Sequence, residues 1–258
     1  MYGKFVKIHF KSMLQYKSNT FLLIASSLFT SVAEFLSVYV LFSSFKTIGN
    51  WTFYEAALTF GMITAIFPFV ECFARGYDEF SKHVVGGDLD RMMVRPINIY
   101  KQLFFSEVEF FKLPKVLLGV GITIFSIANL KVVWTFAKVM VLLASVACGC
   151  VIIFCVMLVG AAFCFFTIDN LEFVNVITNG GRELCYYPIN VYNKWITRFF
   201  TFVIPFACFN YLPLSYILGY GNLPMWLCAI SPLLGMLFLI PCVLFFNWSL
   251  KHYQSSGT

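Results

Sequence analysis

The sequence has little charge: Lys, Arg, Asp and Glu make up 12% of its 258 residues, against about 25% in a typical soluble domain. Residues 199–250 contain none of the four. So few charges cannot cover the water-facing surface of a soluble protein of this size, and 60% of the residues are hydrophobic. The composition therefore excludes a soluble protein and indicates one integral membrane domain, residues 1–258.

Cysteine and histidine also give no pattern of a bound metal or a disulfide framework. The nine cysteines are odd in number, irregularly spaced and mostly within apolar runs. Cys148 and Cys150 have no His or carboxylate close in sequence to complete a metal site. We therefore expect no metal. The net charge of +6 indicates cytoplasmic Lys and Arg near anionic lipid, so we expect no nucleic-acid partner.

The first eighteen residues form a basic segment. Lys4, Lys7 and Lys11 fall on one helical stripe, apolar side chains lie roughly opposite, and residues 1–18 contain no acid. This pattern predicts an interfacial helix in the lipid headgroup layer and a cytoplasmic N-terminus.

Apolar runs of about 20 residues predict the membrane-spanning helices. Four of the predicted spans are residues 20–45, 54–73, 115–129 and 223–248. The run 132–168 is nearly twice as long as a bilayer core requires. We interpret it as two spans joined by a tight turn near Gly149, the second continuing to about Val176; one very long tilted helix is the alternative. The expected fold is an all-α integral membrane protein with six transmembrane helices.

The apolar region 177–223 is interrupted by glycine and proline. The interruptions are Gly180, Gly181, Pro188, Pro205, Pro213, Gly219 and Gly221. Irregular backbone at membrane depth must be covered by protein or water, so we predict short re-entrant helices on the outer side rather than a full crossing. In this topology most Lys and Arg lie inside, both termini are cytoplasmic, and Arg182 is among the few basic residues outside.

Residues 75–101 form a charged island between two apolar stretches and hold nine of the thirty charged residues. Within 86–97, Asp88 is suited to cap a helix, Asp90 suits its first turn, and Pro96 ends it by favouring an extended residue before it. Leu89, Met92, Met93 and Pro96 would share one face, and Arg91 and Arg95 another. Such a helix can dock in a groove on a partner; an ordinary polar loop is the alternative.

Three motifs then resemble those of one family. The island contains Gly87-x-Leu89-Asp90-x-x-Met93-x-Arg95-Pro96, and residues further on contain Tyr187-Pro188-x-x-x-Tyr192 and Pro205-x-Ala207 followed by Tyr211 and Pro213. Together they resemble the motifs of bacterial ABC transporter permeases of the type-2, exporter-like membrane family. Met93 replaces the usual Leu. The resemblance covers nearly the whole chain.

The resemblance implies a cytoplasmic coupling helix after the second span and outer re-entrant helices before the last. It also implies two permease chains, similar or identical, two copies of a separate ABC ATP-binding subunit, and a bacterial cytoplasmic membrane. No Gly-x-x-x-x-Gly-Lys-Ser/Thr occurs here, so ATP and Mg²⁺ are expected in the partner ATPase, and neither a cofactor nor a catalytic residue is expected in this chain. The predicted function is the permease of an ATP-driven exporter. The alternative is an ATP-independent transporter or an immunity-type membrane protein.

Glu34 lies near the middle of the first predicted span. A charged side chain there costs about 2.5–3.5 kcal/mol or more, which makes Glu34 an intramembrane candidate for the substrate path or the permease interface. A protonated carboxyl or a hydrogen bond to a neighbouring helix is the structural alternative.

Overall fold

The computed structural model describes residues 7, 10–13, 15–45, 47–48, 51–167, 175–220 and 224–253, and of Asn190 only the backbone. Apart from one isolated bridge between Ile48 and Trp51, the regular elements of this part are all helical. The α-helices are α1 (Lys17–Ser44), α2 (Phe53–Asp78), α3 (Phe80–Val85), α4 (Asp88–Val94), α5 (Ile99–Ser106), α6 (Leu113–Asn129), α7 (Phe136–Phe163), α8 (Gly181–Leu184), α9 (Lys194–Arg198), α10 (Tyr211–Leu218), α11 (Met225–Met236) and α12 (Leu239–Lys251). The all-α prediction is confirmed.

Five helical stretches of the described chain are long and apolar enough to cross a membrane. They are Lys17–Ser44, Phe53–Val85, Phe110–Asn129, Phe136–Phe163 and Met225–Lys251. Four of them match the spans predicted at 20–45, 54–73, 115–129 and 223–248. The chain is therefore a multi-pass membrane protein.

The turn predicted near Gly149 is wrong, because α7 continues unbroken through it for 28 residues. A Cβ at Gly149 would lie 3.0 Å from both Ile66 and Phe209, so this glycine permits close packing within a straight helix. At about 1.5 Å per residue, α7 is roughly 42 Å long, more than the bilayer core of about 30 Å. The alternative of one long helix is confirmed.

The direction of α7 determines where the chain must cross again. The rings of Phe163 and Phe245 lie 5.3 Å apart, and those of Phe166 and Trp248 lie 5.5 Å apart, so α7 and α12 end at the same side. Because the two helices run in parallel, the chain must return to the opposite end between Phe163 and Met225. The sixth passage therefore lies there rather than at 149–176; residues 168–174 and 221–223 of this interval are outside the described part.

The bundle has two distinct ends. Helices α3, α4 and α5 lie at one, which we call the charged end. At the other, the Trp51 end, the Trp51 ring stacks on Tyr211 at 6.1 Å and on Tyr220 at 6.3 Å. Helix α2 connects the two ends through the centre of the bundle, and most of its side chains are buried.

Helices α2 and α6 pack against each other with their backbones in close contact. A Cβ at Gly119 would lie 2.4 Å from the Ala65 nitrogen, and one at Gly61 would lie 2.7 Å from Thr123. Small residues at such contacts let helix backbones meet in a membrane, where packing rather than water exclusion drives association.

The predicted re-entrant region contains a sharp bend. The helical stretches Lys194–Val203 and Phe206–Leu218 meet at 77°. The ring centroids of Phe206 and Phe67, in the middle of α2, lie 6.3 Å apart. By Tyr220 the chain has returned to the Trp51 end. This is the geometry of a re-entrant hairpin that reaches half-depth, and its location on the outer side stays a prediction.

Half of the residues of the predicted interfacial helix 1–18 lie outside the described part of the chain. Residues 7, 10–13 and 15 are helical, and Phe10 packs edge-on against Phe110 at 5.8 Å. This contact joins the segment to the start of α6 at the charged end.

Candidate functional site

Helix α4 carries the predicted coupling residues. It begins directly after Gly87, whose φ of 67° lies in the left-handed region that glycine tolerates best. The Asp88 side chain makes no capping hydrogen bond, so its predicted role as the cap is wrong; Gly87 takes the cap position and Asp88 is the first helical residue. Asp88 and Asp90 both lie in the first turn, where the helix dipole favours acids. At the other end, Arg95 is extended before Pro96, as predicted.

The apolar side chains of α4 divide between the bundle and the surface. Leu89 is fully buried and Met92 packs against the core, whereas Met93 is 49% exposed and Val94 is 85% exposed. Pro96 is exposed as well. The prediction that Met93 and Pro96 share one apolar face with Leu89 and Met92 is therefore wrong. Helix α4 has only seven residues and contacts the bundle along one edge, and Met93 and Pro96 lie outside that contact.

Hydrogen bonds fasten α4 to the bundle. The Gln102 side-chain amide donates to the backbone oxygens of Met92 and Ile97, both at 2.8 Å. The Tyr77 hydroxyl donates to the Tyr100 backbone oxygen at 2.8 Å, and the Tyr100 hydroxyl donates to the Asn247 amide oxygen at 2.8 Å. The α4–α5 unit is thus tied to both α2 and α12.

A network of ion pairs at the charged end joins α2 to the segment just before α6. Arg75 pairs with the carboxylates of Asp78, Glu79 and Glu109, and Lys112 pairs with Glu71 at 3.0 Å and with Glu109 at 2.8 Å. These side chains are each less than a third exposed, so solvent screens them less than it screens surface pairs. Glu109 is shared by both cations and therefore joins the end of α2 to the start of α6.

Three apolar side chains on α3 and α4 are exposed at the charged end. Val85, Met93 and Val94 are exposed, and Arg91 and Arg95 lie exposed beside them. We call this surface the docking patch. An apolar centre with charged groups at its rim is typical of a contact with a protein partner.

The predicted motif residues of the re-entrant region meet at the Trp51 end. Tyr187, Tyr192 and Tyr211 line one small space of about 10 Å³ beside Asn210, whose amide donates to the Cys185 backbone oxygen at 2.8 Å. The three prolines lie at breaks and starts: Pro188 before a short 3₁₀ turn, Pro205 at the bend, and Pro213 in the first turn of α10.

A much larger cavity of about 580 Å³ opens between this region and the end of α1. Its lining is almost entirely apolar and aromatic: Leu41, Phe45, Thr47, Ile48, Tyr187, Val191 and Tyr192. We call it the tyrosine cavity. A space of this size is in the range of small-molecule binding sites.

Glu34 has partners at membrane depth. The Tyr186 hydroxyl donates to Glu34 Oε2 at 2.9 Å, and the Arg182 guanidinium lies 3.8 Å from Glu34 Oε1. The assignment of Arg182 to the outer surface is therefore wrong, since Glu34 lies ten residues before the end of α1. Gly181 explains the depth: a Cβ there would lie 2.3 Å from the Phe206 ring, so only glycine lets this segment enter the bundle so closely.

Several residues that hold these sites were missed by sequence reasoning, notably Gln102, Tyr100 and Glu109. Nothing in the sequence indicates the partners of these three residues. The coupling residues, Glu34 and the re-entrant motif residues occupy three separate levels of the bundle. Within the described ranges, no group of three or more His, Cys, Asp or Glu is placed to hold a metal ion.

Comparisons with known proteins agree with this architecture. No curated protein and no solved structure matches the chain. At the family level, residues 28–257 match the family described as ABC-2 family transporter protein, whose members are transport permeases rather than catalytic domains and generally work with an ABC ATP-binding subunit. The match covers most of the chain, and we conclude that the protein belongs to the ABC-2 family and is a permease component of a transporter.

Proposed function

We propose that this chain is the membrane-spanning subunit of an ATP-driven exporter in the bacterial cytoplasmic membrane. It would pair with a second permease chain, similar or identical, and with two copies of an ABC ATP-binding subunit that hold ATP and Mg²⁺. In this arrangement the charged end and both termini are cytoplasmic, and the re-entrant hairpin is on the outer side.

The docking patch carries this proposal. Val94 and Met93 are exposed although the segment is held rigidly by Gln102 and Tyr100. An apolar surface on a rigid support, next to a polar end of the membrane domain, supports contact with a soluble partner. The basic side chains of Arg91 and Arg95 would orient that partner through complementary charge.

The way α4 is fastened supports a mechanical role. Gln102 holds α4 to α5, Tyr100 joins α5 to α12, and Glu109 links α2 to α6. When the ATPase subunits close on ATP, movement of the patch would be passed to these helices as a rigid body. The two permease chains would then rock and open a path toward the re-entrant hairpin.

Copurification with the ATPase subunit tests the proposal. The change Val94→Asp with Arg95→Glu places two acids in the docking patch, and because both side chains are exposed the permease should still insert and fold. We expect loss of the ATPase subunit and of transport. Val133, equally exposed but at the Trp51 end, provides the control Val133→Asp, which should retain the subunit. Normal copurification and transport in the patch variant would contradict the proposal.

A further inference from the structure

A polar stripe runs along the segment that enters the bundle before the re-entrant hairpin. Asn175, Asn179 and Glu183 are all exposed and four residues apart; Asn179 lies within the π-helical turn Val176–Gly180, and the other two lie before and after it. Residues four apart share a face of a helical segment, so the three side chains form one line. Tyr187, four residues further on, lies in the wall of the tyrosine cavity.

This stripe lies at membrane depth. Its neighbour Arg182 reaches Glu34 in α1, and Gly181 packs on Phe206, which contacts Phe67 in the middle of α2. Ten residues separate Glu34 from the end of α1, or about 15 Å at the rise of an α-helix. Glu183 therefore lies well below the headgroup layer.

An exposed carboxylate at this depth needs a partner or water. A charged side chain facing lipid costs about 2.5–3.5 kcal/mol on insertion scales, and two exposed amides add to that cost. Lipid is thus an unfavourable lasting neighbour for this face. The face must contact water, cargo or another protein chain.

The local charges favour a cation at this place. Arg182 is the nearest basic residue in sequence, and its guanidinium is turned to Glu34. Lys115 acts electrostatically on this pair but lies in the first turn of α6, near Glu71 and Lys112. Among the described residues no basic group lies within 4.0 Å of Glu183, so its negative charge is available to a ligand.

The tyrosine cavity supplies the rest of a binding site. Its apolar wall suits an organic body, and the ring faces of Tyr187 and Tyr192 attract cations. Glu183 lies four residues before Tyr187, whose side chain lines the cavity, so the acid is close to the cavity wall. The stripe leads from the bundle interior into this wall.

We propose that Glu183 and the tyrosine cavity select a cargo that is an amphipathic organic cation, with the positive group at Glu183 and the apolar body among Tyr187 and Tyr192. Asn175 and Asn179 give the cation and its water a polar route along the same face. This inference rests on the proposed export function and names the class of its cargo.

A pair of ions with the same shape and opposite charge tests the choice directly. The full chain in lipid nanodiscs would be titrated with tetraphenylphosphonium and with tetraphenylborate, after subtraction of binding to empty discs of the same lipid. We expect the parent to prefer the cation by about tenfold or more, as one charge-assisted contact implies. Glu183→Gln should abolish this preference, Glu183→Asp should keep much of it, and Glu183→Lys should reverse it.

The matched control is Glu55→Gln. Glu55 is a carboxylate at the Trp51 end whose oxygens accept from the Thr52 backbone N–H and the Tyr220 hydroxyl, and its loss should leave the ion preference unchanged. Thermal unfolding and gel filtration of each variant would show that it is folded.

The remaining outcomes separate this inference from the function on which it rests. No charge preference in the parent, or an unchanged preference in Glu183→Gln, overturns the inference. A Glu183→Gln variant that loses its permease partner but keeps its ion preference also overturns it, since the stripe is then a contact between chains. If no ATPase subunit associates with the chain, the proposed export function is overturned. The measured preference for the cation over the anion does not depend on that subunit and still tests the inference.

Discussion

The contact between Arg182 and Glu34 makes a strong prediction about stability. Replacing Arg182 with Leu would leave the Glu34 carboxyl at membrane depth with only the hydrogen bond from Tyr186. Removal of one partner of a buried pair costs about 3–5 kcal/mol. The pair is separated by 3.8 Å, and its side chains are 17% and 22% exposed, so the long contact and the partial access of solvent reduce the loss. We expect a decrease of about 2 kcal/mol in the free energy of unfolding.

A double-mutant cycle isolates the contribution of the pair. Glu34→Leu in the Arg182→Leu background removes the uncompensated carboxyl and should recover about 1 kcal/mol or more. The free energies would be measured by reversible unfolding of the four proteins in mixed micelles. Glu34→Gln, which keeps an acceptor for the Tyr186 hydroxyl, should cost less than Arg182→Leu. If the two single changes are additive within about 0.3 kcal/mol, the 3.8 Å contact contributes nothing and the reasoning is refuted.

Two further predictions concern the charged end. Leu89→Ala removes a fully buried side chain and should lower the free energy of unfolding by about 2–5 kcal/mol, whereas Val94→Ala at the exposed end of α4 should change it by about 0.5 kcal/mol or less. Burial and the nearby Glu79 carboxylate raise the pKa of Glu107 above its usual value, so the folded state binds more protons there than the unfolded chain. Stability should therefore fall as the pH rises from about 4.5, the usual pKa of a glutamate, through the raised pKa of Glu107. In Glu107→Gln the thermal unfolding temperature should change less with pH over this range.

The spans and the coupling segment were predictable from sequence because their signals are local. Four spans follow from the length of apolar runs alone, and the extended Arg95 follows from the proline after it. The errors arose where a residue's role depends on distant neighbours. Gly149 resembles a turn in sequence, but Ile66 and Phe209 make it a packing position. Charge counting treats Arg182 as a surface residue, and only the folded chain places Glu34 beside it.

Helix α2 is the element that joins the three sites. At the charged end its Tyr77 hydroxyl contacts the Tyr100 backbone and its Arg75 belongs to the ion-pair network. Nearer the Trp51 end, Phe60 packs 4.6 Å from the Tyr186 ring, whose hydroxyl binds Glu34. Between these points α2 contains Pro68 and departs from helical geometry at Ala74, and its backbone contact with α6 lies at Gly61 and Ala65. A displacement of the docking patch therefore reaches the level of Tyr186 and Glu34 through α2, and the kink at Ala74 is the place on this route where the helix can bend.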